Sequence, residues 1–358
     1  MNKLKKLITA ALALCLALPL ISSCGSKDSA DVHVFYYTYS DTYISTVRSS
    51  LDDALRKAGV SFQDHDGNNN QTTQTEQIQT AITKGAKLLV VNVVTTGSDD
   101  AASGIVSLAK SANIPVIFFN REVSDSVVKS YDKCAFIGTD ATEAGKLQGD
   151  MIGDYAVKNF GSLDLNGDGE LSYVLFMGEK GNNEAIYRTK YAVENADAKL
   201  SAAGKPALTF YDPSNTDKYL LDREGKWSAQ AANEYMTTLL SSHSTANKNM
   251  VELIICNNDG MAEGAISALN AAGYNMGKDS TTIPVFGVDA TSAAQSLIKA
   301  GKMSGTIKQD AVGMADAILK SVQNGLAGKG IFEGLTDANI DKDVSKLRIP
   351  YAVYLGEK

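Results

Sequence analysis

The stretch Glu252-Leu-Ile-Ile-Cys-Asn-Asn-Asp259, continued by Gly-Met-Ala-Glu-Gly-Ala-Ile-Ser-Ala-Leu269, decides the fold. Its apolar run Leu253–Cys256 is typical of a strand buried on both faces, and a helical pattern follows. Two amides and a carboxylate separate the two elements. In open α/β sheets, small ligands bind beside polar groups at the carboxyl ends of buried strands. One of the three polar residues is expected to cap the helix, which leaves two as candidates for ligand binding.

The size, charge and cysteines of the chain limit the classes of protein to consider. Its 358 residues are enough for two domains, and 44% hydrophobic with 21% charged residues is typical of a globular protein. The net charge of -7 argues against nucleic acid as a partner. Cys134 and Cys256 lie in separate apolar segments, so buried free thiols are favoured over a disulfide.

Residues 1–23 are predicted to be a lipoprotein signal peptide. The basic segment Met1–Lys6 precedes the apolar run Leu7–Leu20, which is too short to span a bilayer comfortably. The sequence Leu20-Ile-Ser-Ser-Cys24-Gly resembles a bacterial lipobox, in which Cys24 would become the lipidated N-terminus. A plain secretory signal is the alternative. Residues 24–31 would form a lipid-anchored tether, so we expect a periplasmic or cell-surface protein that contacts the membrane through lipid only.

Strands and helices alternate from Val32 onward. The predicted strands are 32–38, 60–62, 88–94, 114–119, 134–138, 173–177, 208–211, 252–256, 284–288, 304–307 and 348–354. Such alternation indicates βαβ units and parallel sheets with helices on both faces. Because the alternation starts again at Tyr173 and no Pro- or Ser-rich linker intervenes, we expect two similar α/β domains that the chain crosses within strands, at a hinge.

Polar residues follow the buried strands throughout the chain. They are Tyr39–Tyr43, Asn120–Glu122, Glu179–Glu184, Asn257–Asp259, Asp289 and Lys308–Asp310. Any one of these residues is explained well enough as a helix cap or a turn. The set as a whole predicts a cleft for a polyhydroxylated ligand, because amides and carboxylates donate and accept paired hydrogen bonds. Tyr43 and the sole tryptophan, Trp227, could supply flat apolar faces.

Catalytic templates are absent from the sequence. It contains no Gly-x-Ser-x-Gly, His-Glu-x-x-His, Walker loop or Gly-x-Gly-x-x-Gly after a strand. The three histidines are His33 in a strand and His65 and His243 in polar loops, and none belongs to the polar set. Pairs of carboxylates do occur in that set, so a glycoside-processing enzyme is an alternative of low rank.

The segment Asp164-Leu-Asn-Gly-Asp-Gly-Glu-Leu-Ser172 matches the first nine positions of an EF-hand calcium loop. Position twelve is Leu175, where an EF-hand requires a bidentate Glu. Two interpretations are open: a calcium loop that takes its last carboxylate from elsewhere in the chain, or plain Asp-Gly turns.

From Val32 to the C-terminus, the chain resembles the periplasmic galactose/glucose-binding proteins, the receptors of methylgalactoside ABC transporters. The matching stretches are Phe118–Glu122, Ser130–Lys133, Gly138–Asp140, Leu147–Asp150, Asp164–Gly169, Asn257–Asp259, Pro284–Ala290 and Gly328–Gly330. The resemblance implies a type I periplasmic binding protein with two Rossmann-like parallel-sheet domains joined by a three-strand hinge. The implied domains are 32–138 plus 310–347 and 139–309 plus 348–358, with crossings near 138–140, 306–309 and 347–349.

The resemblance also implies the residues of two sites. For a sugar it implies hydrogen bonds from Asp41, Asn120, Arg188, Asn258 and Asp289, and stacking by Trp227 and by Tyr43, where the family has Phe. In that site Asn182, Glu184 and Gln309 stand where the family has His, Asp and Asn, which leaves the preferred hexose open. For calcium it implies Asp164, Asn166, Asp168, the Glu170 carbonyl, Ser172 in place of a family Gln, and Glu252. In the opening stretch, Asn258 would then face the sugar, and Asn257 and Asp259 would be left for capping.

We therefore expect a monomeric, lipid-anchored solute-binding protein for glucose, galactose or a close hexose. It would deliver the sugar to the membrane subunits of an ABC permease. One alternative is a sugar sensor for a chemoreceptor without a transport role. A sugar-responsive repressor is disfavoured, because a signal and lipobox stand where its DNA-binding helices would be.

Overall fold

The computed structural model describes residues 30–277 and 280–356, which form two α/β domains. The strands are β1 Val32–Tyr36, β2 Phe62–Asp66, β3 Leu88–Val91, β4 Val116–Phe119, β5 Cys134–Gly138, β6 Ser172–Met177, β7 Thr209–Phe210, β8 Leu220–Leu221, β9 Leu253–Cys256, β10 Val285–Asp289, β11 Gly305–Gln309, β12 Ile340–Asp341, β13 Lys346–Arg348 and β14 Tyr351–Tyr354. The helices are α1 Thr42–Lys57, α2 Gln71–Thr83, α3 Asp100–Ser111, α4 Asp125–Lys129, α5 Ala141–Leu163, α6 Asn183–Ala202, α7 Ala229–Leu240, α8 Asp259–Ala271, α9 Ser292–Lys299 and α10 Ala311–Leu326.

The two sheets have the same plan. The first sheet has the order β12-β13-β5-β4-β3-β1-β2, and the second has the order β14-β11-β10-β9-β6-β7 with β8 beside β6. Among the strands of the described residues, only the β12–β13 and β11–β14 pairs are antiparallel. β1 lies between β2 and β3, and β6 lies between β7 and β9, so both halves follow one winding scheme. The predicted class, two similar parallel-sheet α/β domains, is confirmed.

Alternate residues of each strand enter cores on opposite faces of the sheet. Val34 and Val90 pack with α1 and α10 on one face, whereas Phe35 and Leu89 pack with α2, α3 and α4 on the other. The second sheet is covered in the same way on both faces. Burial on both faces explains why strands such as β9 are continuous apolar runs. Cys134 and Cys256 are buried free thiols, as predicted.

The chain passes between the domains three times. It does so after β5 at Thr139–Asp140, after β11 at Asp310, and between β13 and β14 at Ile349–Pro350. The predicted single strand 348–354 is therefore wrong, because β13 and β14 belong to different sheets. Arg348 lies in the first sheet rather than in the second domain, since Ile349 N–H still bonds to Gly138 O at 2.7 Å. Pro350 then removes the next backbone donor and ends the strand.

One further strand was misplaced. The prediction ended this strand at Phe62, but β2 begins there and runs to Asp66, so His65 lies in a strand rather than a loop. β2 is an edge strand that leaves its side chains partly exposed, so polar residues are tolerated there. Because these residues are polar, the sequence pattern did not indicate a strand. The signal peptide and the lipidated Cys24 lie outside the described residues. Within residues 30–277 and 280–356, no helix is both long and apolar enough to cross a membrane.

Candidate functional site

A cavity lies between the domains, at the carboxyl ends of β1 and β4 and of β6, β9, β10 and β11. Its lining consists of Tyr37, Asp41, Tyr43, Ile44, Asn120, Arg121, Asn182, Glu184, Arg188, Trp227, Asn258, Asp289 and Gln309. All ten residues that the sequence analysis named for sugar contact are in this lining. The structure thus brings together side chains that lie up to 268 positions apart, Asp41 to Gln309.

The wall from the N-terminal domain, which is built on the first sheet, presents fixed polar groups. Asp41 caps α1, and its Oδ1 accepts from Ile44 N–H at 2.7 Å. Its Oδ2 accepts from the Tyr37 hydroxyl at 2.7 Å. Asn120 follows β4 with a φ of 58°, in the left-handed region that Asn tolerates. Its Oδ1 accepts from Asn92 at 3.1 Å, which leaves its amide nitrogen to donate to a ligand.

Arg188 is the central cation of the wall from the C-terminal domain, which is built on the second sheet. The side chain is 4% exposed. Its Nη1 donates to Asn257 O at 2.9 Å, and its Nη2 donates to the Tyr351 hydroxyl at 2.9 Å and to Gln309 Oε1 at 3.2 Å. These bonds fix the guanidinium plane. The third nitrogen of the guanidinium, Nε, is buried and has no partner.

Two neighbours of Arg188 also have unsatisfied polar atoms. Glu184 Oε2 and Gln309 Nε2 are buried without a hydrogen-bond partner. Burial of such atoms costs about 1–3 kcal/mol each, so three of them around one cavity indicate a ligand that satisfies them. Burial raises the pKa of Glu184, and it raises the pKa of Asp289 well above its usual range despite the charge of Arg188. A ligand that donates hydrogen bonds would favour the ionised form of both carboxylates.

Trp227 supplies a flat apolar wall. It is 8% exposed, and its Nε1 donates to Glu179 Oε2 at 3.2 Å. Its ring passes over Gly178, where an added Cβ would lie 2.1 Å from the ring, so only glycine permits this packing. Tyr43 is buried in the opposite wall, and burial raises the pKa of its hydroxyl well above the usual range.

In the stretch Asn257–Asp259, the roles of the three polar residues differ from the prediction. Asn258 is itself the cap of α8: its Oδ1 accepts from Met261 N–H at 2.9 Å, and its Nδ2 donates to Trp227 O at 3.2 Å. Asn257 and Asp259 therefore do not cap the helix. Asn257 Oδ1 accepts from Gly178 N–H at 3.2 Å, which ties two strand ends together. An amide has both an acceptor and a donor, so Asn258 can cap a helix and hold a cavity wall at once.

Three residues of the lining were missed: Tyr37, Ile44 and Arg121. Arg121 follows Asn120 directly, within a strand-end segment that the sequence analysis had already singled out. Its Nη2 donates to Val94 O at 2.8 Å and to both oxygens of Glu179 at 2.9 and 2.7 Å. Position after a buried strand was the available signal, but the partner across the cleft could not be inferred from sequence.

The loop from Asp164 to Ser172 meets Glu252, as the resemblance implies, but through backbone donors. Glu252 Oε1 accepts from Leu165 and Asn166 N–H at 2.8 and 3.1 Å. Its Oε2 accepts from Ser172 N–H at 2.8 Å and from the Ser172 hydroxyl at 3.1 Å. The carboxylate thus accepts from three backbone N–H groups and one hydroxyl of the loop.

The other implied calcium ligands are also engaged. Asp164 accepts from the N–H groups of Gly167, Asp168 and Gly169 at 2.6 to 3.2 Å. The Asn166 side chain bonds to both backbone groups of Met250, at 2.9 and 2.8 Å. In the described part of the chain, no three Asp, Glu, His or Cys side chains group so that they could hold a metal. The calcium site that the resemblance implies stays a prediction.

Comparison with known proteins places the chain. Residues 32–330 match the family model described as a periplasmic binding protein domain. The chain belongs to the periplasmic binding protein family. Over 348 residues this periplasmic binding protein is 34% identical to the D-galactose/methyl-galactoside binding periplasmic protein MglB of Haemophilus influenzae, covering 97% of this chain and 96% of that protein. The resemblance stated from the sequence is confirmed.

Solved structures of solute binding proteins share the fold of this periplasmic binding protein. One from Bacillus halodurans C-125, with bound myo-inositol, is 25% identical with a TM-score of 0.65, covering 91% of this chain and 95% of that chain. One from Clostridium phytofermentans, with bound beta-D-glucose, is 21% identical with a TM-score of 0.70, covering 90% and 93%; this likeness concerns the fold alone. The matched family model and these relatives are described as binding proteins, so the chain is a binding protein and not an enzyme.

Proposed function

We propose that this periplasmic binding protein captures glucose, galactose or a close hexose in the interdomain cavity and delivers it to an ABC permease. One observation carries the proposal. The buried Nε of Arg188, Oε2 of Glu184 and Nε2 of Gln309 are two donors and one acceptor without partners, and all three residues line one cavity. A sugar ring offers hydroxyls that accept from the first and third and donate to the second.

The relatives support this ligand class. The Haemophilus protein is described as binding D-galactose and methyl-galactoside, and the Bacillus structure contains myo-inositol. Each of these ligands is a compact ring with several hydroxyls. Trp227 would pack against the C–H face of such a ring, while the carboxylates and amides of the two walls meet its edge. Closure of the domains would be driven by contacts that exist only when both walls touch the sugar.

Calorimetry with a panel of aldohexoses tests the proposal. We expect a dissociation constant of about 1 μM or tighter for at least one of them. Arg188→Ala should weaken that binding about 100-fold, because it removes a buried charge-assisted donor set. Arg56→Ala is the matched control, since this arginine lies at the exposed end of α1, far from the cavity. No heat with any aldohexose would overturn the proposal.

Anchoring at Cys24 and delivery to a permease or a chemoreceptor are further proposals. Two or more acyl chains are enough to hold a protein at a bilayer, so anchoring through Cys24 would not require a transmembrane helix. Mass spectrometry of the N-terminal peptide from membranes, compared with a Cys24→Ala variant, tests the lipid. Capture from crosslinked membranes tests the partners: ABC permease subunits support transport, and a chemoreceptor alone would instead support a sensor.

A further inference from the structure

The two domains meet at the mouth of the cleft through a short rim of contacts. Asn182 Nδ2 donates to the Thr96 hydroxyl at 3.1 Å. Gly181 approaches Gly97 so closely that an added Cβ would lie 3.2 Å from the Cα of Gly97. The strongest contact of the rim is the ion pair between Arg121 and Glu179, in which Nη2 lies 2.7 Å from Oε2.

The pair is built into both walls rather than resting on the surface. Arg121 is 5% exposed and Glu179 is 18% exposed. On its own domain, Arg121 donates to Val94 O at 2.8 Å, and its guanidinium lies 4.3 Å from the centroid of the Tyr37 ring. These contacts with an aromatic ring and a backbone carbonyl orient the Arg121 guanidinium toward the opposite domain.

Glu179 connects the pair to the candidate ligand walls of its own domain. Its Oε2 accepts from Trp227 Nε1 at 3.2 Å and from Asn182 Nδ2 at 3.4 Å. One carboxylate therefore orients the predicted stacking face and a polar lining residue, and it receives Arg121 only when the domains are together. The ion pair thus links the closed arrangement to the orientation of Trp227.

The pair also separates two spaces. A second depression lies outside it, lined by Val94, Thr95 and Gly97 of the N-terminal domain and by residues 221–225 of the C-terminal domain. Arg121 lines both this depression and the inner cavity, and Glu179 lines the depression. The two side chains therefore form a partition between the cavity and the cleft mouth.

We propose that the Arg121–Glu179 pair is a gate that holds the cleft closed and limits the ligand to a single monosaccharide. This inference rests on the proposed function, because it specifies the length of ligand that the same cavity accepts. With the pair formed, a second sugar ring linked toward the mouth would have to displace a buried guanidinium and a partly buried carboxylate. With both side chains truncated, the cavity and the outer depression become continuous, and a disaccharide has room.

Three variants test the gate by calorimetry with the best hexose and with a disaccharide that contains it, lactose for galactose or cellobiose for glucose. Glu179→Gln keeps the partition and the acceptor for Trp227 but removes the charge. It should weaken hexose binding about tenfold without admitting the disaccharide. Arg121→Ala should also weaken hexose binding about tenfold without admitting the disaccharide, because Glu179 still occupies the partition. The double variant Arg121→Ala/Glu179→Ala should shift the ratio of the two affinities at least about tenfold toward the disaccharide.

The control is the exposed pair Lys199–Asp154, which joins α5 and α6 within one domain at 2.9 Å. Lys199→Ala/Asp154→Ala should leave both affinities unchanged. Circular dichroism checks that each variant is folded. Wild-type protein that binds a hexose, together with a double variant of unchanged selectivity, would overturn the gate alone. Wild-type protein that binds the disaccharide as tightly as the hexose would do so too. Absence of any sugar binding in the wild type would overturn the proposed function instead.

Discussion

Arg188 Nη2 donates to the phenol oxygen of Tyr351 at 2.9 Å, and the same oxygen lies 2.7 Å from the Thr139 hydroxyl. Thr139 lies at the first crossing between the domains. Tyr351 is the first residue of β14, the strand that follows the third crossing. One phenol oxygen therefore connects the central cation of the cavity to two of the crossings. This contact gives a ligand on Arg188 a direct mechanical link to the hinge.

Replacement of Tyr351 by Phe should weaken sugar binding about tenfold, because Arg188 loses one of the bonds that fix its plane. The shape of the buried ring is retained, so the melting temperature should change little. Tyr354→Phe, in the same strand, is the matched control. Calorimetry measures the affinities, and an unchanged affinity in the Tyr351 variant would show that the phenol is only a packing group.

The identity of the sugar should depend on the two side chains that are longer than their family counterparts. Glu184 and Gln309 each place one buried, unpartnered atom at the cavity. The double variant Glu184→Asp/Gln309→Asn withdraws both groups by one methylene, so the ranking of hexoses should change at least about fivefold in relative affinity. Gln323→Asn on the exposed side of α10 is the control. An unchanged ranking across the panel would place the selectivity elsewhere in the wall.

The sequence predicts a site residue correctly where the position of that residue depends on a single strand. Position after a buried strand identifies Asp41, Asn120 and Asp289, since parallel strands bring their carboxyl ends to one edge. It does not identify the roles of Arg121 and Asn258. The partner of Arg121 is Glu179 on the other domain, and the capping role of Asn258 is decided by the φ and ψ angles of its own backbone. Contacts across the cleft depend on the closed geometry, which no local pattern encodes.

Sugar affinity should rise with pH. Burial, above all, raises the pKa of Glu184 and of Asp289. Sugar hydroxyls that donate to these groups favour the ionised form, so the bound protein has lower pKa values than the free protein and binding releases protons. We expect tighter binding at pH 8 than at pH 5, with proton release in calorimetry repeated in buffers of different ionisation heat. Tighter binding at low pH would mean that a protonated Glu184 donates to the ligand.

Asp64 should make the N-terminal domain less stable as the pH rises. Burial raises its pKa from 3.8 to about 8, with a further contribution from the neighbouring Asp52 that outweighs Arg48. Between those values the folded carboxyl keeps its proton and the unfolded one loses it, so the free energy of unfolding falls as pH rises. Asp64→Asn should therefore raise the melting temperature more at pH 8 than at pH 5, unlike the exposed control Asp217→Asn. Equal shifts at both pH values would refute the titration.

Glu252 should stabilise its loop without a cation. Its carboxylate accepts two hydrogen bonds on each oxygen, and an amide in its place would turn donors toward donors. We expect Glu252→Gln to lower the melting temperature by about 5 °C. We expect wild-type protein to melt at the same temperature in calcium and after exhaustive chelation. Glu170→Gln, whose exposed carboxylate bonds only to the Thr209 hydroxyl, is the control for the variant.

The chelation arm separates this arrangement from the calcium site that the family resemblance implies. A ligand that binds only the folded state raises its stability by mass action, so a bound calcium ion would make the melting temperature fall on chelation. Such a fall would mean that Asp164 and Glu252 exchange their backbone donors for the ion, and that the hydrogen bonds described above belong to the cation-free loop. An unchanged melt combined with a destabilised Glu252 variant would establish that the loop is held by its own N–H groups.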